Sequence, residues 1–372
     1  MPPPYPHDRL KGLIPAAERL PGGLIDLSIG TPCDPPPAGV VEALGGSGSE
    51  RGYPPSIGTD AYREAARSWL AARFGVEVGP GEVAACVGAK EFVAGLPHLL
   101  RLRDPGRDTV LYPEISYPSY AMGATLAGCR AVPVPFDAEG RLDLSAVDPV
   151  DAGRALCLWV NSPGNPAGQL DDLGAAASWG RERDVPVFSD ECYAEFTWQG
   201  PPRTILEHGT EGVVAVHSLS KRSNFAGGRA GFYAGDPGLV EYLGEVRKHL
   251  GLMVPGPVQA AAVVAWSDQG HVEVQRDRYR RRMGMLVDVL SHLGVETRLP
   301  EGAFYLWAPA PDGDAWALTG RLATELGMLV SPGDFYGPAG AGHVRVAAVQ
   351  PEDRLELLAR RARELGEGGL GF

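Results

Sequence analysis

Lys221 stands in the run His217-Ser218-Leu219-Ser220-Lys221-Arg222-Ser223-Asn224, and Arg229 follows eight residues later, after Gly227-Gly228. An amine flanked by hydroxyls, with a guanidinium close by, suits a lysine that forms a Schiff base beside a bound phosphate. Ser218, Ser220 and Arg229 can hold a dianion, and Lys221 can be the covalent nucleophile. Lysine is scarce in this chain, at positions 11, 90, 221 and 248 only, because most of the basic charge is arginine. The plain alternative is a surface lysine after a strand; the hydroxyls and the arginine weigh against it.

Four further clusters ask for the same kind of ligand. Val87-Gly88-Ala89-Lys90-Glu91 reads as a strand-to-helix turn, where small residues let a phosphate approach the free N–H groups of a helix start. Such turns are common, and alone this one says little. Pro113-Glu114-Ile115-Ser116-Tyr117-Pro118-Ser119-Tyr120 places aromatic rings in a rigid turn, and Tyr117 can stack on a flat heteroaromatic ring or simply pack. Asn161-Ser162-Pro163-Gly164-Asn165-Pro166-Ala167-Gly168 follows an apolar strand, and its asparagine can aim an amide at a ring hydroxyl. In Ser189-Asp190-Glu191-Cys192-Tyr193 a carboxylate ends another apolar strand, which is costly unless it pairs with a cation, caps a turn or binds a metal. A phenol three residues later can reach the same ring. An aldehyde, a phenolic oxygen, a protonated ring nitrogen and a phosphate together describe pyridoxal phosphate.

The intervening sequence supplies elements that can hold these residues in one place. Val83–Val87, Thr109–Leu111, Ala131–Val134, Leu156–Val160, Val185–Phe188 and Val213–His217 read as short buried strands. Helical patterns lie between them over about 90–101, 118–127 and 171–183, after an earlier helix at 59–74 that Thr59-Asp60 would cap. The alternation predicts an α/β fold with a mostly parallel sheet covered by helices on both faces, and ligands gather at the carboxyl ends of such strands. After a helix at Pro257–Trp266 the texture changes. A long arginine-rich helix at 271–293, whose Arg276 to Arg282 read as a solvated face, leads into mixed strands (Ala303–Ala308, His343–Ala347) and helices (Ala315–Leu326, 351–365). We therefore expect an extended N-terminal arm over 1–40 packed on a small α+β domain at 271–372, with a large domain at 41–270.

Composition narrows the remaining classes. The 372 residues are 44% hydrophobic and 22% charged, as in a soluble globular protein of about two domains. A net charge of -12 argues against nucleic acid as the main partner. Five cysteines, with no C-x-x-C pair and no zinc spacing, read as reduced thiols, and no metal site is expected. Met1-Pro2-Pro3-Pro4 begins no signal peptide, and no apolar run reaches a membrane-spanning length. The expected location is the cytoplasm.

In the order and spacing of these clusters, nearly the whole chain resembles the fold-type I pyridoxal-phosphate aminotransferases of the aspartate aminotransferase superfamily. The resemblance implies that Lys221 is the Schiff-base lysine and Asp190 the partner of the pyridinium nitrogen. Asn165 and Tyr193 then serve the ring oxygen, Tyr117 stacks, and Ala89, Lys90, Ser218 and Arg229 form the phosphate cup. It further implies that Tyr53, in Gly52-Tyr53-Pro54-Pro55-Ser56-Ile57-Gly58-Thr59, reaches the phosphate of a partner subunit, hence a homodimer. Arg345, in His343-Val344-Arg345-Val346-Ala347, would clamp the substrate α-carboxylate together with Asn165, and Gly30 would lie on the segment that closes over it. The family usually has Thr at the place of Ala167 and an aromatic at that of Gly228.

Within that superfamily, Asp26-Leu27-Ser28-Ile29-Gly30-Thr31-Pro32, Arg247-Lys248-His249 and Asp334-Phe335-Tyr336-Gly337 look like actinobacterial N-succinyldiaminopimelate aminotransferases, which transfer the amino group of glutamate to N-succinyl-2-amino-6-oxopimelate on the way to lysine. The alternatives are an aminotransferase of specialised metabolism acting on another oxoacid, and a lyase of the same fold. Arg222, Arg130 and Arg51 are candidates for a distal acidic group on the substrate, or else ordinary surface charges. A regulator built on this fold would carry a DNA-binding domain, for which the chain leaves no room ahead of the arm.

Overall fold

A computed structural model describes residues 5–366 and 369–370. Residues 1–4, read above for a leader, lie outside the described residues, as do 367–368 and 371–372 of the C-terminal segment.

The first strand, β1 (Ile25–Asp26), stands apart from the large sheet. That sheet is built from β2 (Val83–Cys86), β3 (Thr109–Pro113), β4 (Arg130–Val134), β5 (Ala155–Asn161), β6 (Val187–Asp190), β7 (Val213–Ser218) and β8 (Gly231–Gly235), in the spatial order β2-β8-β7-β6-β5-β3-β4. Only β8 runs against its neighbours; β7, β6, β5, β3 and β4 pair in parallel. Every residue of β5 and of β7 is buried, which explains why both read as unbroken apolar runs: a parallel strand is covered on both faces. Along β7, Val213 and Ala215 enter one core with Trp69, Trp179 and Trp266, while Val214 and Val216 enter the other with Phe92, Tyr120 and Tyr233. Helices Asp60–Phe74, Leu173–Arg183 and Gly256–Ser267 cover the first face; Ala89–Arg103, Ser119–Leu126 and Pro237–His249 cover the second. The α/β fold expected from the strand–helix alternation is the fold found.

The C-terminal part contains β9 (Tyr305–Pro309), β10 (Met328–Leu329), β11 (Ser331–Pro332) and β12 (His343–Ala347). Strands β11, β12 and β9 form an antiparallel sheet in that order. Strand β1 pairs in parallel with β10, and Ile25 and Leu27 join the core of Phe304, Leu322 and Val346.

Several sequence expectations need correction. The arm is not simply extended: Pro6–Gly12 is a 3₁₀ helix and Ile14–Glu18 an α-helix, each with a proline in its first turn, where the missing N–H costs nothing. Strand β8 and helices Ala38–Gly46 and Pro237–His249 went unread. Terminal glycines give β8 and the first of these helices the look of turns, and a glycine near the start of the second blurs its period. The arginine-rich helix is Gly270–His292, and its Arg282 is no surface charge: it is buried and forms a fork with Asp34 at 2.6 and 2.8 Å.

Candidate active site

Asn161, Asp190 and Ser218 are the last residues of β5, β6 and β7, and the register Asn161–Asp190 places two of them side by side. Beyond these strand ends lies a cavity of about 410 Å³. Ala89, Lys90, Tyr117, Asn165, Asp190 and Tyr193 line it. So do Ser218, Lys221, Arg229, Gly30 and Arg345. Of the cofactor and α-carboxylate residues expected from sequence, all but Tyr53 line it; Tyr53 is 99% exposed.

The local sequence explains each placement. The Ser218 hydroxyl accepts the Ser220 N–H at 3.1 Å and donates to Ser220 Oγ at 2.9 Å, which starts the short helix Leu219–Arg222. That turn sends Lys221 into the cavity, where its Nζ donates to the Gly30 carbonyl. Withdrawal from water, aided by the charge of Arg345, pulls the Lys221 amine down to about 8. Asp190 is buried, and burial raises its carboxyl above the usual carboxylate range. Its Oδ1 accepts the Cys192 N–H at 3.2 Å and its Oδ2 the Tyr120 hydroxyl at 2.9 Å. No cation pairs with it among the described residues. Asn161 ties the neighbouring loop together by donating to the Asp190 carbonyl at 2.8 Å and accepting the Asn165 N–H at 2.8 Å.

At one end of the cavity, helix Ala89–Arg103 begins without a side-chain cap. Arg229 adopts φ +55° and donates Nη1 to the Ala226 carbonyl and Nη2 to that of Val87. Gly88 has φ +78°, and a Cβ there would lie 2.5 Å from Arg229 Nη2, so this position admits only glycine. Position 228, where the resemblance led us to expect an aromatic, has no room for a side chain: a Cβ on Gly228 would lie 2.1 Å from Phe225 Cε1, because the Phe225 ring fills that space.

At the other end, Arg345 is buried and donates Nη1 to Asn165 Oδ1 at 2.8 Å and Nη2 to the Ser28 carbonyl at 2.6 Å. The rings of Tyr305 and Tyr336 lie 4.2 and 4.9 Å from it. Its Nε is buried without a partner, and no carboxylate pairs with it among the described residues.

The arginines considered for a distal acidic group do not reach the cavity. Arg222 is 2% exposed and belongs to a buried network behind the site: its Nε donates to Glu195 Oε1 at 3.2 Å, and Glu195 also takes Arg73 at 2.7 Å and Trp69 at 3.0 Å. Arg130 pairs with Asp151 at 2.5 Å, and Arg51 is exposed. Sequence reasoning gave no role to Tyr5, His7, Tyr120, Tyr305 or Tyr336, although four of the five line the cavity and Tyr120 holds Asp190. Tyr305 and Trp307 alternate along a strand, a pattern that reads as core packing. The Lys90 ammonium lies 3.4 Å from the Tyr5 hydroxyl, turned toward the arm.

This donor set fits pyridoxal phosphate. The uncapped helix start beside Arg229 and Ser218 matches a phosphate, the buried unpaired Asp190 matches a ring cation, and the low-pKa Lys221 matches an imine-forming amine. A mostly parallel sheet with that constellation at its strand ends defines a pyridoxal-phosphate-dependent transaminase of fold type I. Residues 23–361 match the family described as aminotransferase class I and II, and the chain belongs to that family.

Relatives and solved structures agree. The chain is 41% identical over 367 residues to 4-dedimethylamino-4-oxo-anhydrotetracycline transaminase OxyQ of Streptomyces rimosus, covering 96% of this chain and 98% of that one. It is 37% identical to LL-diaminopimelate aminotransferase of Desulforudis audaxviator, covering 97% and 95%. Among solved structures, substrate-bound BacF of Bacillus subtilis superposes with a TM-score of 0.90 at 27% identity, over 98% and 95% of the two chains. A probable N-succinyldiaminopimelate aminotransferase of Thermus thermophilus does so with a TM-score of 0.85 at 31% identity, over 96% and 98%.

Proposed function

We propose that this transaminase takes the amino group of glutamate and passes it to an oxo substrate bearing its own carboxylate, with N-succinyl-2-amino-6-oxopimelate as the acceptor favoured by the sequence resemblance and by the Thermus structure. The observation that carries the carboxylate requirement is Arg345, a buried guanidinium with a free Nε and no acidic partner among the described residues, fixed by Asn165 over the cavity. A bidentate fork of that kind suits a carboxylate and sets which bond at the α-carbon is aligned for cleavage.

The other residues take the following roles in this reading. Ser218, Arg229 and the backbone N–H groups of Ala89 and Lys90 hold the phosphate. Tyr117 stacks on the ring, Asp190 pairs with its nitrogen, and Asn165 and Tyr193 serve its oxygen. When bound, pyridoxal phosphate supplies an electron-withdrawing ring that stabilises charge left at the substrate α-carbon. Lys221, with its proton affinity lowered to about 8, can shed and regain a proton near neutral pH and so acts as base and acid there. Tyr53, wholly exposed and outside its own cavity, is free to reach the phosphate of a second copy, which is consistent with the homodimer that the family resemblance implies. A boundary near residue 270 is supported by a C-terminal core drawn mostly from residues after it, joined by Tyr193 and Phe196 from the large part and Ile25 and Leu27 from the arm.

The 41% identity to OxyQ favours a second reading, in which the acceptor is a polycyclic ketone of specialised metabolism. A panel with glutamate as donor separates the two: N-succinyl-2-amino-6-oxopimelate, N-acetylglutamate semialdehyde, oxaloacetate and a polycyclic aromatic ketone, with formation of 2-oxoglutarate and of the amine followed together. Turnover of the ketone alone would sink the oxoacid reading. Release of ammonia or carbon dioxide without amino transfer would point to a lyase.

A further inference from the structure

Tyr193 and Tyr305 are both buried, and their hydroxyl oxygens lie 2.7 Å apart. Two phenols in such contact share one hydrogen bond, so one donates and the other keeps its proton free for a different acceptor. One feature sets the direction, and two hold the rings in place. The Arg345 guanidinium stands 4.2 Å from the Tyr305 ring centroid, and a cation over a ring draws charge from it and makes its hydroxyl the better donor. The backbone of Gly30 closes another side of Tyr305: a Cβ there would lie 2.1 Å from the Tyr305 oxygen. Tyr193 is in turn held by Phe304, whose ring packs edge-on against it at 5.5 Å.

We infer that Tyr305 is a positioning residue: it donates its proton to the Tyr193 oxygen and thereby aims the Tyr193 proton at the ring oxygen of the cofactor. The inference rests on the role given to Tyr193 above. Chained hydrogen bonds strengthen one another, so the Tyr305 donation makes Tyr193 the stronger donor. Because Arg345 polarises Tyr305, the pair also links the substrate carboxylate end of the cavity to the cofactor ring. A carboxylate on Arg345 offsets its charge, weakens Tyr305 as a donor, and relaxes the hold of Tyr193 on the ring oxygen.

The test follows the visible absorbance of the holoenzyme against pH, without substrate. A hydrogen bond donated to the ring oxygen favours its anionic form and lowers the midpoint of that titration. Tyr193→Phe is expected to raise the midpoint by roughly one unit or more. Tyr305→Phe should raise it by a smaller step, from a few tenths to about one unit. Added to Tyr193→Phe, it should raise the midpoint no further, since it acts only through Tyr193. A difluorinated tyrosine at position 305 keeps the shape of the side chain and strengthens the donor, so it should lower the midpoint; it also serves if Tyr305→Phe folds poorly. If Tyr193→Phe moves the midpoint while both changes at 305 leave it in place, or if the shifts add in the double variant, the role of Tyr305 is overturned and that of Tyr193 stands. An unmoved midpoint in Tyr193→Phe overturns both.

Discussion

Arg345 Nη1 meets Asn165 Oδ1 at 2.8 Å although 180 residues separate them in sequence. The proposed carboxylate clamp thus stands on β12 and is held by the loop after β5, so the C-terminal strand is fixed against the large sheet at the edge of the cavity.

Arg345→Ala removes the fork and leaves Asn165 without its charged partner. Truncating one member of a buried charged hydrogen bond costs about 2–5 kcal/mol. We expect kcat/KM for glutamate to fall roughly 10²–10³-fold, mainly through KM. Amine donors lacking a carboxylate should lose far less. Equal losses with both donor types in steady-state kinetics would count against the clamp.

The lowered proton affinity of Lys221 gives a pH dependence of known sign. The ammonium form has no free electron pair, so apoenzyme should capture pyridoxal phosphate slowly below about 8 and faster as the pH rises through it, then level off. Stopped-flow absorbance of cofactor uptake measures this directly. Lys221→Ala should bind the cofactor without covalent attachment and lose the half-reaction with glutamate.

Tyr120→Phe takes one hydrogen bond from the Asp190 carboxylate. Burial already raises that carboxyl, and the Tyr120 and Cys192 contacts oppose the rise. Without Tyr120 the group ionises at higher pH, so the acid limb of the kcat profile should move up by about half a unit to one unit, with little change on the alkaline side. A uniform loss at all pH values would indicate a packing defect instead.

Arg222→Met takes one of four partners from Glu195 and leaves it Arg73, Trp69 and Gln269. Breaking a buried pair on one side costs about 3–5 kcal/mol, and we expect a clear fall in melting temperature by calorimetry. Removing both charges, as Arg222→Met with Glu195→Gln, should recover part of it.

The sequence was informative wherever a function depends on residue type at a strand end. Lys221, Asp190, Asn165 and Ser218 each sit within a residue or a few of a buried apolar run, so strand, turn and chemistry are local. Tyr305 was illegible for the opposite reason: its partners Tyr193 and Arg345 come from other elements, and its own segment shows only alternating aromatics. Arg222 misled because an arginine beside a reactive lysine looks like a ligand group until its burial against Glu195 is seen. Strand β8 escaped because two glycines bound it, although it pairs with both β2 and β7.

The pairing of β1 with β10 orders events in time. Ser28 and Gly30 come early in synthesis, but Ser331 and Arg345, which hold the Ser28 carbonyl, are made some three hundred residues later. At about 5–20 residues per second the arm waits roughly 15–60 s for its partners. The residues proposed to hold the phosphate within one chain lie between 88 and 229, and β8 (Gly231–Gly235), which joins β2 to β7, is made directly after them. In the proposed reading a nascent polypeptide therefore gathers its own share of the phosphate end of the pocket well before the substrate end, whose Arg345 is still to be made.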